Sequence, residues 1–194
     1  MPEPTARDAK LIQYLNEAYG KEKELEAALQ AHIAMTTRAP YKRRLREHLK
    51  ETKGHSRGLQ RRIKRLGGAA ELVPAPGPVG DAAGAVTAAA SKAVSAAKGP
   101  LHALRGTGEQ ERMLKNAKTE YSEEHEEIAT YTAIETLAET VGDRETAKLA
   151  RGIRREEERM ARFLERLIPS LTKAVSREEI PASERRRNGR RSRG

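Results

Sequence analysis

The stretch YSEEHEEIATYTAIETLAETVGDRETAKLARGIRREEERM (121–160) decides the fold, because it contains two amphipathic helical patterns separated by one short interruption. In each half, inward-facing positions recur at alternating intervals of three and four residues, which places them on one face of an α-helix. Gly142 and Asp143 supply a helix stop and a helix start. The short interruption predicts an antiparallel helix pair. The two stripes are Leu114, Ala117, Tyr121, Glu124, Ile128, Tyr131, Ile134, Ala138 and Val141, then Ala150, Ile153, Glu157, Met160, Leu164, Leu167 and Leu171.

The N-terminal part of the chain repeats this arrangement. Residues 5–38 have the pattern of one helix with Thr5 as its N-cap, and Pro40 opens a second helix that Gly67 and Gly68 terminate. The very short connection between them predicts a second antiparallel pair. Its stripes are Leu11, Leu15, Ala18, Glu22, Leu25, Leu29 and His32, then Leu45, Leu49, Thr52, His55, Leu59, Ile63 and Leu66.

A long segment, 67–106, separates the two pairs. It begins as a Pro- and Gly-rich linker and continues as an Ala-rich run with the pattern of a weak helix. Two antiparallel pairs joined by a long crossover predict an all-α fold, a four-helix bundle with ferritin-like connectivity. We expect the bundle to occupy residues 1–175 and a disordered basic tail to occupy residues 176–194.

Composition excludes several classes of protein. The 194 residues include no Cys, which excludes disulfide frameworks, zinc fingers and Cys nucleophiles. Aromatic residues make up only 3%, so a β-sandwich or barrel is not expected. The sequence has neither a span apolar enough for a membrane nor a start typical of a signal peptide. We therefore expect a soluble cytoplasmic protein.

Ionisable residues interrupt the inward stripes at one level of the bundle. Counted from the two turns, the acidic groups of both helix pairs lie at about the same height, roughly 22–25 Å from the turns at 1.5 Å rise per residue. Packing the pairs together would bring these groups to one place. The residues concerned are Glu22, Glu51, His55, Glu124, Glu127 and Glu157.

Carboxylates in this position need compensation, because burying a bare charge costs several kcal/mol. They could protonate, pair with cationic side chains or bind cations, and the adjoining stripe positions offer no Arg or Lys. Five carboxylates and one imidazole nearly balance two divalent ions. Oxygen ligands with an imidazole suit iron or manganese, and zinc is possible, so we expect one or two ions per chain.

The same residues also have purely structural interpretations. A small rotation of each helix would turn any one Glu towards solvent, but six such groups at one level favour a site. His32 and His48 are also nearly level and could form a second site, although a role in the core or at its edge is the preferred interpretation. Tyr121 and Tyr131 are interpreted as core residues whose hydroxyls bond nearby carboxylates.

Three segments resemble the bacterial ferritin-like YciE/YciF stress-protein family: NEAYGKEKEL (16–25), HLKETKGH (48–55) and EEHEEIATYTAIETLAE (123–139). The resemblance implies a ferritin- and rubrerythrin-like dimetal site, with Glu22, Glu51, Glu124, Glu127 and Glu157 as its carboxylates and His55 as its imidazole. It implies a role in stress response or in iron and oxidant handling. Any enzymatic activity would then be Fe(II) oxidation or peroxide reduction.

Two departures from the family pattern weaken the expected second metal position. Glu51 and His55 are four residues apart instead of three, although His48 and Glu51 offer the three-residue spacing in reverse order. Met160 stands where the fourth helix would supply a His. A thioether is unsuited to ferric iron, so one ion could bind more tightly than the other. We expect metal ions as partners and a homodimer as the assembly.

Basic residues suggest an alternative function. Residues 41–66 contain eleven Lys or Arg against Glu47 and Glu51, and the whole chain has a formal charge of +10. Such an excess attracts polyanions, although no sequence-reading motif accompanies it. The alternative is a metal-free helical protein that binds nucleic acid without sequence preference. Besides the helix it would use the tail residues Arg185, Arg186, Arg187, Arg190, Arg191 and Arg193.

Overall fold

A computed structural model describes residues 5–72 and 108–185, which form four long helices and no strand. They are α1 (Ala6–Met35), α2 (Ala39–Arg65), α3 (Glu109–Thr140) and α4 (Arg144–Glu179). Helix α1 packs on α2, and α3 packs on α4. Contacts between α1 and α3 and between α2 and α4 then close the ring. This architecture confirms the all-α fold and agrees with a ferritin-like bundle.

Local signals set the helix boundaries. The Thr5 hydroxyl oxygen accepts a hydrogen bond from the Asp8 backbone N–H at 3.2 Å, and Asp143 caps α4 by accepting from the Thr146 N–H at 3.0 Å. Gly67 follows the end of α2 and Gly142 follows the end of α3, with φ of 88° and 74°. Both angles lie in the left-handed region, where glycine carries no steric penalty.

The bundle interior has an apolar region on each side of a polar one. Towards the α1–α2 turn, Leu29, Leu45 and Leu164 pack together, and at the other end Leu15 and Ile63 belong to a second apolar cluster. Between them lie six buried ionisable side chains, which we call the central layer: Glu22, His48, His55, Glu124, Glu127 and Glu157. The fold therefore buries these ionisable groups almost completely.

The C-terminal end of the bundle lies beyond its expected position. Helix α4 extends four residues past 175, to Glu179, because the helical hydrogen bonding continues to the Ile180 N–H, which donates to the Ser176 carbonyl. A turn follows over residues 182–185. The crossover with its Ala-rich run lies mostly outside the described residues, as does the tail beyond Arg185. None of the helices in 5–72 and 108–185 has an apolar stretch of the length that crossing a bilayer requires.

Candidate metal centre

Each of the four helices contributes to the central layer. Glu22 comes from α1, His48 and His55 from α2, Glu124 and Glu127 from α3, and Glu157 from α4. The two histidines are seven residues apart, and two turns of helix bring them to the same face. None of the six side chains is more than 5% exposed. The centre is thus assembled from residues that are distant in sequence.

Glu157 lies in the middle of the central layer and faces both histidines. Its Oε1 is 2.9 Å from His55 Nδ1, and its Oε2 is 3.5 Å from His48 Nε2. Glu22 completes the first group, with Oε1 3.2 Å from His55 Nδ1, and Glu124 completes the second, with Oε1 3.0 Å from His48 Nε2. The two groups, each with three ligand atoms close enough to share one ion, have Glu157 in common.

These close N–O contacts lack hydrogen-bond geometry. Neither His48 Nε2 nor His55 Nδ1 has a hydrogen-bond partner, and the same holds for both oxygens of Glu124 and Glu157. Ligand atoms bound about 2.1 Å from one ion lie roughly 3 Å from each other when their bonds are near right angles. The observed spacing and the missing hydrogen bonds match atoms arranged around a cation. The residues present therefore fit a metal ion.

Glu127 and Tyr131 extend the central layer on α3. Both oxygens of Glu127 are buried without a hydrogen bond. Burial, together with the charges of Glu22 and Glu157, raises its pKa well above the ordinary value. The Tyr131 hydroxyl donates to Glu22 Oε1 at 2.5 Å, which leaves Oε2 of Glu22 without a partner. Each of these carboxylates retains oxygens that a cation could bind.

Carboxylates outside the central layer orient the two histidines. His48 Nδ1 lies 3.2 Å from Glu51, which also accepts a hydrogen bond from Arg44 at 3.0 Å. His55 Nε2 lies 2.8 Å from Glu156. A proton on each outer nitrogen, donated to its carboxylate, leaves the inner nitrogen as a lone pair facing the centre. Carboxylates commonly orient metal-binding histidines in this way.

In the metal-free protein several side chains of the centre are protonated. Burial opposes charge on the histidines, but the surrounding carboxylates raise the pKa of His48 to about 10 and that of His55 to about 11. Burial raises the pKa of Glu124 to about 8. At neutral pH the three groups are therefore protonated. A metal ion must displace these protons in order to bind.

The structure brings together five of the six residues predicted from the sequence: Glu22, His55, Glu124, Glu127 and Glu157. It directs the sixth, Glu51, to Arg44 and to the outer nitrogen of His48. Burial opposes ionisation of Glu51, but these partners lower its pKa to about 2.

Sequence reasoning considered His48 only together with His32, as a possible second site, and preferred a role for it in the core or at its edge. The seven-residue spacing to His55 was the available signal. Met160, at the position of the missing fourth-helix histidine, packs in the apolar cluster with Leu164.

A separate buried cluster lies nearer the α1–α2 turn, and we call it the His32 cluster. His32 Nδ1 is 2.5 Å from Glu120 Oε1, and the Tyr41 hydroxyl donates to Glu120 Oε2 at 2.8 Å. Burial opposes charge on His32, but Glu120 raises its pKa. Here the protein itself supplies the partners of both carboxylate oxygens. His32 and His48 therefore contact different carboxylates and do not share a site.

Comparison with known proteins agrees with this architecture. A family described as "Domain of unknown function (DUF892)" matches residues 6–176. The chain belongs to the DUF892 family. No curated protein matches this DUF892 protein.

Solved structures share its fold. A protein from Xanthomonas campestris pv. campestris is 25% identical with a TM-score of 0.65, covering 89% of this chain and 98% of that chain. YcfI from Rhodopseudomonas palustris is 19% identical with a TM-score of 0.65, covering 84% and 95%. The stress protein YciF from E. coli is 21% identical with a TM-score of 0.60, covering 87% and 98%. These matches confirm the resemblance to the YciE/YciF family.

Proposed function

We propose that this DUF892 protein binds one or two divalent metal ions in the central layer and acts in iron or oxidant handling under stress. The observation that carries the proposal is the position of Glu157, whose two oxygens each belong to a separate group with an imidazole and a second carboxylate. A shared carboxylate of this kind is suited to bridging two ions. The same six residues would otherwise form a costly buried cluster of unsatisfied groups.

Charge balance supports the proposal. The four carboxylates of the layer, Glu22, Glu124, Glu127 and Glu157, carry a charge of −4 when ionised, and two divalent ions carry +4. Two neutral imidazoles complete a donor set of nitrogen and oxygen atoms, which suits iron and manganese and also accommodates zinc. We favour iron. When bound, it would supply redox chemistry, either Fe(II) oxidation or peroxide reduction.

The roles of the chain's own residues follow from the geometry. Glu157, Glu22 and His55 would hold one ion, and His48 with Glu124 and Glu157 the other. Glu51 and Glu156 would keep the imidazoles oriented, and the apolar regions on both sides would exclude water. The predicted cytoplasmic location and homodimer belong to this proposal as expectations.

Metal analysis of protein purified without chelator tests the proposal. We expect at least one equivalent of Fe, Mn or Zn per chain, or full loading after Fe(II) is added without oxygen. Glu157→Gln should remove most of the bound metal because it takes one ligand from each group. Glu158→Gln is the matched control, since Glu158 pairs with Arg154 and Arg162 on the surface. No stoichiometric metal in the wild type, or full loading of Glu157→Gln, would contradict the proposal.

The exposed face of α2 favours nucleic-acid binding as a second candidate function. Eight of its cations are exposed, and seven of them form no ion pair with a carboxylate in residues 5–72 and 108–185. They recur every three or four residues and so form one stripe along the helix. Phosphate groups of a duplex or single strand would complement such a stripe. Its members are Arg43, Arg46, Lys50, Lys53, Arg57, Arg61 and Lys64.

A salt titration of binding to duplex and single strands tests this candidate. If about five phosphates are neutralised, log affinity should fall against log salt with a slope of roughly −4 to −5. Changing Arg43, Arg46 and Lys50 to Glu should flatten the slope by about two or three. The same changes at exposed Lys118, Arg155 and Lys173 should have a smaller effect. Deleting residues 181–194 would measure the share of the tail. Absence of binding at micromolar protein and low salt would exclude this function.

A further inference from the structure

A groove of about 520 Å³ lies between α2 and α4, and none of the interactions described so far accounts for it. Glycines contribute to both of its walls. Gly58 comes close to the Leu149 side chain, because a Cβ there would lie 3.1 Å from Leu149 Cδ1. Gly152 faces open space, and a Cβ there would meet nothing within 4 Å. The groove remains open at Gly152 because no side chain fills that part of it.

The rim of the groove carries unpaired positive charge. Arg61, Arg65 and Lys148 line it and are exposed. Neither Arg61 nor Lys148 forms an ion pair with a carboxylate in the part of the chain that the structure describes. Arg65 approaches only Glu145, at 3.5 Å, and both of these side chains are mostly exposed. Two to three cations therefore face this concave space without a strong partner.

The acidic residues of the groove are already engaged. Glu145 accepts a hydrogen bond from Arg62 at 2.6 Å, and Arg62 is held in addition by Asp143 at 2.5 Å. Glu156 contacts His55 at 2.8 Å and Arg159 at 3.3 Å. Glu145 and Glu156 thus already have cationic partners within the protein. The sign of the field in the groove is set by the unpaired cations.

We propose that this groove binds a small oxyanion of the phosphate class. Concave walls of low dielectric concentrate the field of the cations on their rim, which favours an anion and disfavours a metal cation. Arg and Lys pair well with the oxygens of a phosphate group. The volume admits a small anion with room to spare and is too limited for a folded polymer. The site forms without any metal ion, so it goes beyond the function proposed above.

His55 also lines the groove, with its Nε2 directed to Glu156 and its Nδ1 facing Glu22 and Glu157. This one side chain therefore belongs both to the groove and to the central layer.

Titration of the full chain with inorganic phosphate, after chelator treatment, tests the proposal by calorimetry and by phosphorus NMR. We expect saturable binding of one phosphate per chain. Lys148→Glu should weaken it by at least about fivefold, because one attractive charge becomes repulsive. Lys118→Glu, which makes the same charge change on the exposed face of α3, should alter it by less than about twofold.

A steric variant separates the groove from the general positive charge of the protein. Gly152→Leu leaves every charge in place, favours the helix and fills the open space, so it should also abolish phosphate binding. Changing Arg43, Arg46 and Lys50 to Glu should leave binding within about twofold. Unchanged binding in Gly152→Leu, equal weakening by Lys118→Glu, or no saturable binding in the wild type would overturn the proposal. Phosphate binding is measured on chelator-treated protein, so the metal proposal and this one can fail separately.

Discussion

The bundle buries two polar clusters, and they differ in how their charges are satisfied. In the His32 cluster, Glu120 accepts a hydrogen bond from Tyr41 through one oxygen and contacts His32 through the other. In the central layer, both oxygens of Glu124 and Glu157 and the inner nitrogens of two histidines have no hydrogen bond. Both clusters are shielded from water by the same four helices. In the His32 cluster the folded chain supplies a partner for each Glu120 oxygen, whereas in the central layer these hydrogen bonds are missing.

This difference distinguishes a structural polar cluster from a binding site. A buried charge with internal partners stabilises one arrangement of the core, and removing a partner is costly. A buried group without partners destabilises the free protein and gains stability when a ligand supplies what is missing. On this basis the central layer is the candidate for metal binding, although both clusters contain His, Glu and Tyr.

The largest expected effect is the pH dependence of metal binding to the central layer. His48, His55 and Glu124, with pKa values raised to about 10, 11 and 8, hold protons at neutral pH that a metal must displace. Raising the pH from 6 to 8 lowers the proton concentration a hundredfold and weakens this competition, so affinity should rise at least about tenfold per pH unit. Competition with a chelator, using Zn(II), measures the affinity, and calorimetry in buffers of different ionisation enthalpy counts the protons released. A pH-independent affinity would contradict the assignment.

The next effect is the stabilisation of the protein by metal. Saturating the central layer at a hundred to a thousand times the dissociation constant should add about 3–4 kcal/mol and raise Tm by about 10 °C. Glu157→Gln should remove most of this rise. Glu120→Gln, in the His32 cluster, should retain it even though the variant starts from a lower Tm. Thermal unfolding with and without Mn(II) measures the rise in Tm for each variant. If both variants lose this rise equally, the proposed difference between the two clusters is wrong.

The same substitution in the two clusters should have opposite effects on the metal-free protein. Glu120→Gln replaces a satisfied carboxylate and should lower the free energy of unfolding by about 2 kcal/mol, because the contact with His32 becomes weaker. Glu127→Gln removes an acid without hydrogen bonds and should leave the free energy of unfolding unchanged or raise it by up to about 1 kcal/mol. Urea unfolding of chelator-treated protein measures both, and two losses of equal size would contradict the comparison.

The smallest effect concerns the two buried tyrosines. Tyr41→Phe should cost about 1–2 kcal/mol with or without metal, since it takes a hydrogen bond from Glu120. Tyr131→Phe should cost about 1 kcal/mol in the metal-free protein and less once an ion occupies the oxygen of Glu22 that Tyr131 contacts. Unfolding by urea in the presence and absence of Mn(II) separates the two. If the loss of unfolding free energy in Tyr41→Phe changed with metal, this prediction would be wrong.

The fold was predictable because its signals are local. The recurrence of apolar positions placed four helices, and the Thr5 and Asp143 caps and the glycines at 67 and 142 placed their boundaries within a few residues. Helix α1 ends three residues before its expected end, at Met35, and α4 ends four residues after its expected end. The Arg- and Glu-containing residues 176–179 continue α4 without a strong apolar pattern.

The sequence predicted the height of the candidate centre in the bundle better than it predicted which residues form the centre. Counting residues from the turns brought Glu22, His55, Glu124, Glu127 and Glu157 to one height, as the structure has them. Counting cannot fix the rotation of a helix about its axis, and one residue corresponds to about 100° of rotation. His48 and Glu51 are three residues apart and both lie near the inward face of α2. The sequence therefore could not show which of the two faces the centre.

The sequence by itself determined that this DUF892 chain forms two helix pairs with acidic residues at matching heights, because helical period and capping act over a few residues. The tertiary structure alone decided that His48 faces the centre and that Glu51 supports it from outside. It alone decided that Glu120 finds two hydrogen-bonding partners, whereas the oxygens of Glu157 have no hydrogen bond. These outcomes depend on how four helices rotate and pack against one another, and that rotation is settled only when residues from all four meet.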